Sequence, residues 1–150
     1  MKFRIAYWFA TCGFLGQVPY GPGTVGSFIA IPLVLVLQNR PFSLLLSCAL
    51  LVVLAVWTSD VVAAKFNQKD PQEIVIDEFC GLLISFLFLP IRWQTLLAGF
   101  FLFRFFDITK PPPIRQIEQI PNGFGIVFDD LMAGVYTNFI LHILIRYAHL

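Results

Sequence analysis

Apolar residues in this chain come in long, nearly unbroken runs. Thr24 to Leu37 is the first, closed by "QNRP". Phe42 to about Phe66 is the second, broken by "NQKDPQ". Ile74 to Leu89 is the third and ends at Pro90. A fourth extends from about Trp93 to Ile108, and a fifth from about Ile126 to Tyr147. Nowhere does an alternation of apolar and polar positions persist long enough to predict a strand. The punctuation is helix-breaking: Pro111 to Pro113 excludes helix, and "PNGFG" is a turn signal. The pattern predicts five helices, the first and third rather short, with no internal repeat. The second run exceeds the roughly 20 residues that cross a bilayer.

Composition turns these runs into a membrane prediction. Hydrophobic residues make up 58% of the 150, with 17 Phe, and mean hydropathy is +0.80. Only 13% are charged, against about 25% in an ordinary soluble domain. That is too little polar surface for a water-soluble fold of this size. The expected class is all-α, an integral membrane bundle of about five apolar helices in one domain, 1–150. The opening "MKFRIAYWFATCGFLGQ" resembles a signal peptide in its basic start. However, its apolar part is aromatic, broken by Thr11, Gly13 and Gly16, and lacks a small-residue cleavage site. It reads as an N-terminal interfacial helix, too short to span. A net charge of +1 argues against a nucleic-acid partner. Cys12, Cys48 and Cys80 lie in apolar surroundings without CxxC spacing and read as small buried hydrophobes.

Tracing the runs as hairpins brings the charge to one face. The first helix leaves that face near Pro22 to Ser27, and the second returns with Asp60, Lys65 and Lys69. The third departs with Asp77 and Glu78, the fourth returns with Arg104, Asp107 and Lys110, and the fifth leaves with Asp129 and Asp130. The opposite face has Arg40, Arg92, Arg146 and His149 near it. Ionisable groups at membrane depth usually mark a functional site. Lys65, Lys69 and Arg115 also fit plain headgroup-level anchors. The adjacent acid pairs fit that description poorly, because neighbouring carboxylates repel unless a cation lies between them.

The chemistry follows from the donor types. Asp60, Asp77, Glu78, Asp107, Asp129 and Asp130 offer only oxygen ligands, the preference of a hard ion such as Mg2+. His142 and His149 lie away from this face, and no Cys-x5-Arg loop occurs, which leaves metal-activated water. "GPGTVGS" opens the first helix there; its exposed N–H groups suit a phosphate, although the same residues make an ordinary loop and N-cap. Arg104 can hold phosphate oxygens through its planar fork, or pair with Asp107 three residues along the helix.

"PYGPGTVGS", "VIDEFCG", "FRFFDITKPPPIR" and "GFGIVFDDLMAG" together resemble, in order and spacing, the signatures of the phosphatidylglycerophosphatase A family. The match covers about Pro19 to Gly134. It departs at Tyr20, where a small residue is expected, and at Pro-Pro-Pro, where Pro-x-Pro is usual. The resemblance implies a helical membrane enzyme that removes the terminal phosphate of phosphatidylglycerophosphate, with Mg2+, giving phosphatidylglycerol in bacteria. On that reading Asp77, Glu78, Asp129 and Asp130 hold metal, with Asp60 a less secure ligand. Arg104, Lys110, Gly23 and Thr24 bind phosphate, and Asp107 fixes Arg104 or completes the metal site. Adjacent helical residues point about 100° apart, so one of each acid pair is expected as a direct ligand. Lys2, Arg4, Lys65, Lys69, Lys110 and Arg115 put the charged face in the cytoplasm of a bacterial inner membrane. Two other classes compete. A small transporter or ion pathway would need polar groups through the membrane depth, and "AIPLVLVL" and "LLISFLFL" hold almost none. A non-catalytic lipid-binding protein differs in releasing no phosphate.

Overall fold

A computed structural model of the protein describes residues 1–148, so the histidine at 149 lies outside the described residues. Those residues form seven α-helices and no strand. They are α1 (Lys2–Ala10), α2 (Pro22–Leu37), α3 (Pro41–Phe66), α4 (Ile76–Ser85), α5 (Trp93–Thr109), α6 (Ile114–Ile117) and α7 (Gly123–Ala148), with a 3-10 turn at Leu15–Gln17. Pro22 and Pro41 open α2 and α3, where a missing N–H costs nothing. Asn67 and Lys110 close α3 and α5 in the left-handed region, each turning the chain back toward the same end of the bundle.

The five apolar runs are all helical, but five crossings are not what the structure shows. Two helices are long and apolar enough to cross a membrane, Pro41–Phe66 and Gly123–Tyr147. At 1.5 Å per residue α4 is only about 15 Å long and α2 about 24 Å, against a hydrocarbon core of roughly 30 Å. The third run predicts helix as far as Leu89, yet α4 stops at Ser85. Hydropathy continues past the stop, while the backbone reverses at Phe88, whose φ is 59°. Asn138 of α7 donates its amide to the carbonyls of Ser85 (3.1 Å) and Leu87 (2.9 Å), satisfying acceptors the helix end would leave bare. Two smaller differences concern turns. A single turn, α6, follows directly on the triple proline, and α7 begins at Gly123, inside the expected turn "PNGFG".

The short α4 is the hub. It packs most extensively on α7 and α2 and also touches α3 and α5. Small residues let α4 and α7 meet: a Cβ on Gly134 would collide with the carbonyl oxygen of Gly81. Beyond that contact Leu82, Leu83, Phe86, Phe103 and Leu141 belong to one apolar core cluster. A second cluster, with Ala10, Ala55, Val62, Ile76 and Val127, docks α1 against α3. The outer face of α3 stays bare, with Leu46, Leu50, Val53 and Trp57 all exposed, and only 28% of its apolar window is buried. Leu97, Phe101, Phe105 and Ile108 of α5 form a similar exposed stripe. A soluble monomer rarely shows apolar surface on this scale; a lipid-facing bundle must. The protein associates with membrane.

Candidate active site

One end of the bundle carries a pocket of about 390 Å³ where α2, α4, α5 and α7 converge. Gly23, Asp77, Glu78, Arg104, Asp107, Lys110, Asp129 and Asp130 all line it. Chain geometry explains the meeting. Asp77 and Glu78 occupy the first turn of α4, where the helix dipole favours anions. Asp130 enters from α7 beside the Gly81–Gly134 contact; a Cβ on Gly81 would lie 2.6 Å from the Asp130 carbonyl oxygen. Without that close approach the acids of the two helices would stand apart.

Asp77, Glu78 and Asp130 each present a carboxylate oxygen within 4.8 Å of the others. Asp77 and Asp130 are 5% and 4% exposed, which leaves little water to screen the repulsion. Burial, opposed in part by a hydrogen bond with Glu78, pushes Asp77 up to about 6. Burial and the neighbouring Asp77 charge push Glu78 well above the usual carboxylate range. The Glu78 Oε2 atom is buried with no hydrogen-bond partner. An all-oxygen group, an orphaned carboxylate oxygen and mutual repulsion together fit a hard divalent cation. In this pair both acids face the group, since the longer Glu78 side chain reaches round the first turn. In the second pair Asp130 faces the group alone.

Asp129 is held elsewhere. Its Oδ1 accepts from the Asp130 N–H (2.9 Å), and its Oδ2 accepts from Lys110 Nζ (2.7 Å). Lys110 also donates to Glu118 (2.7 Å). Burial alone would lower the Lys110 ammonium, but the hydrogen bonds it donates to Asp129 and Glu118 hold it above its ordinary value. Arg104 donates to Asp107 Oδ2 at 2.6 Å and lies 4.0 Å from Glu78 Oε1, while its buried Nε has no partner. A Cβ on Gly23 would run into Glu78 Oε1 and stand 3.1 Å from the Arg104 guanidinium, so only glycine lets α2 close this wall.

Two candidate residues fall outside. Asp60 lines a separate polar recess with Asn67 and Asn122, and its Oδ1 accepts a long hydrogen bond (3.4 Å) from the Gly123 N–H at the start of α7. Thr24 is exposed; Gly21, Pro22 and Gly23 line the pocket in its place. Asp70, on the loop between α3 and α4, lines the pocket although sequence reasoning treated that loop only as a break. The residue is exposed, yet crowding of its carboxylate by the pocket wall, with the Asp77 charge, pushes it up to about 6. Its signal was available: an acid one residue before a proline, on the loop that leads into α4, whose first turn carries Asp77 and Glu78.

A family model described as phosphatidylglycerophosphatase A matches residues 8–145. The chain belongs to the phosphatidylglycerophosphatase A family. By family it is therefore an enzyme, a phosphatase. A phosphatidylglycerophosphatase A from Haemophilus influenzae is 39% identical over 128 residues, covering 81% of this chain and 77% of its own. The phosphatidylglycerophosphatase A of Escherichia coli is 37% identical over 130 residues, covering 85% and 76%. A protein from Bacteroides thetaiotaomicron named as a putative phosphatidylinositol-3-phosphatase is 38% identical over 142 residues, covering 89% and 88%. No solved structure matches.

Proposed function

We propose that the protein hydrolyses the terminal phosphomonoester of phosphatidylglycerophosphate, releasing phosphatidylglycerol and phosphate for phospholipid synthesis at the cytoplasmic face of a bacterial inner membrane. The observation that carries this reading is the pocket itself. Three carboxylates within 4.8 Å stand beside Arg104 and Lys110 at one end of a lipid-facing bundle. Asp77, Glu78 and Asp130 would hold Mg2+; Asp129, turned toward Lys110, would act from beside the site. Bound there, the ion would offset phosphate charge and lower the pKa of a coordinated water.

The chain's own residues supply the rest. Attack of water on phosphorus forms one P–O bond as the bond to the glycerol oxygen breaks; the attacking water gives up one proton and the leaving oxygen takes one up, so the step balances. Arg104, oriented by Asp107, counters charge on the phosphoryl oxygens as they separate. Lys110 adds a second cation, anchored by Asp129 and Glu118 so that it stays in the pocket wall. Asp70 stands at the same wall as a carboxyl that can exchange a proton near neutrality. The apolar cluster of Leu82, Leu83, Phe86, Phe103 and Leu141 weighs against a transporter, which would need polar groups through the bundle.

Phosphate release by the purified protein in mixed micelles, with Mg2+ and with chelator, tests the reading. Turnover of phosphatidylglycerophosphate that needs the divalent ion is the expected result. A preference for phosphatidylinositol 3-phosphate would move the substrate assignment, and no release from either lipid would overturn it.

A further inference from the structure

A second polar recess, about 380 Å³, opens beside the catalytic pocket and shares Pro19, Pro22 and Gln72 with it. Its other walls include Tyr7, Gln17 and Glu73. The walls differ in chemistry from the pocket: no Lys or Arg lines this recess, whereas Arg104 and Lys110 line the other. A second phosphate would meet only neutral amides, a phenol and a carboxylate there. A neutral hydroxylated group would find both donors and acceptors.

The Gln17–Tyr7 pair at the far wall is joined by a hydrogen bond. Gln17 donates its side-chain amide to the Tyr7 hydroxyl at 3.1 Å, which leaves the Gln17 carbonyl oxygen as an acceptor and the Tyr7 O–H as a donor. The Tyr7 ring packs among Phe3, Phe14 and Phe66. The Val75 N–H donates to the Ala10 carbonyl (2.9 Å), tying the end of α1 to the start of α4. The recess thus keeps a fixed relation to Asp77 and Glu78.

We infer that this recess is a subsite for the polyol part of the substrate headgroup. Gln72 at the boundary reads the hydroxyl next to the phosphomonoester, and the Gln17–Tyr7 pair lies beyond it. The inference rests on the lipid-phosphatase reading above and deepens it: the enzyme would select a phosphorylated polyol lipid over one whose headgroup lacks the hydroxyl. Glu73 would keep the substrate's phosphodiester out of the recess.

The test is a cycle of two substrates and three proteins. Wild type, Gln72→Met and Gln17→Met are assayed on phosphatidylglycerophosphate and on its analogue without the central headgroup hydroxyl, in the same Mg2+-containing micelles. Wild type should prefer the natural lipid by about three- to tenfold, the range of one net hydrogen bond. Gln72→Met should remove most of that preference, raising KM for the natural lipid by a larger factor than for the analogue. Gln17→Met should act in the same direction, more weakly. No preference in wild type, or equal losses on both substrates, would overturn the subsite. Failure of wild type to release phosphate from the natural lipid would instead overturn the lipid-phosphatase reading beneath it.

Discussion

Asp77, Glu78 and Asp130 concentrate like charge in a buried space, an arrangement that destabilises the fold unless protons or a cation occupy it. The sign of the pH effect follows for Asp77. Its carboxyl sits at about 6 in the folded protein against 3.8 ordinarily. Between those values the folded state holds more protons than the unfolded one, so stability falls as pH rises. In chelator, Asp77→Asn should therefore melt higher than wild type at pH 7 and no higher near pH 4, as followed by thermal unfolding in detergent. Added Mg2+ should raise the wild-type melting temperature and leave the variant nearly unmoved. The same variant, and Asp130→Asn, should lose turnover while remaining helical by circular dichroism; near-normal rates at saturating Mg2+ would remove that residue from the ligand set. Gly23→Ala pushes a methyl against Glu78 and Arg104. It should lower kcat/KM by roughly 10- to 100-fold, the scale seen when groups that orient metal ligands are disturbed, with wild-type helicity retained.

At the scale of elements, α4 and its partner α7 decide whether the site exists. Asn138→Leu would strip the hydrogen bonds from Ser85 and Leu87. Leaving buried acceptors bare costs about 1–3 kcal/mol, so the variant should unfold at lower temperature while a smaller share of activity is lost. An unchanged melting temperature would show that the end of α4 is satisfied some other way. This element also marks the limit of what sequence could show. The starts of α3, α5 and the apolar runs are written in local signals, prolines and polar breaks, and those were legible. The stop at Ser85 was not, because the apolar run continues to Leu89 and the residue that meets the helix end lies 53 positions away. The gathering of acids was legible from hairpin alternation, whereas the partition within it was not. Side-chain length brings Glu78 into the group and Lys110 draws Asp129 aside, and neither follows from a 100° helical step.

For the whole molecule, the exposed faces of α3 and α5 and the pocket at one end argue that substrate arrives within the membrane plane. Burial is worth about 0.8 kcal/mol per methylene, so a diacyl anchor should raise apparent efficiency by orders of magnitude over a soluble phosphomonoester. Release from long-chain phosphatidylglycerophosphate should far exceed release from glycerol 3-phosphate at equal bulk concentration; comparable rates would mean that the site draws from bulk water. Lys65 and Lys69, close to the pocket end, predict that a single cysteine at Gln68 resists labelling from outside intact cells. Leu82, Leu83, Phe86, Phe103 and Leu141 form an apolar core cluster, and the acids gather in a pocket at one end of the bundle. With the pocket at one end of the bundle, the proposed reaction would stay in one leaflet: the newly dephosphorylated lipid would be born on the side where its precursor stood, and populating the other side would fall to a separate flipping step whose rate this enzyme would not set.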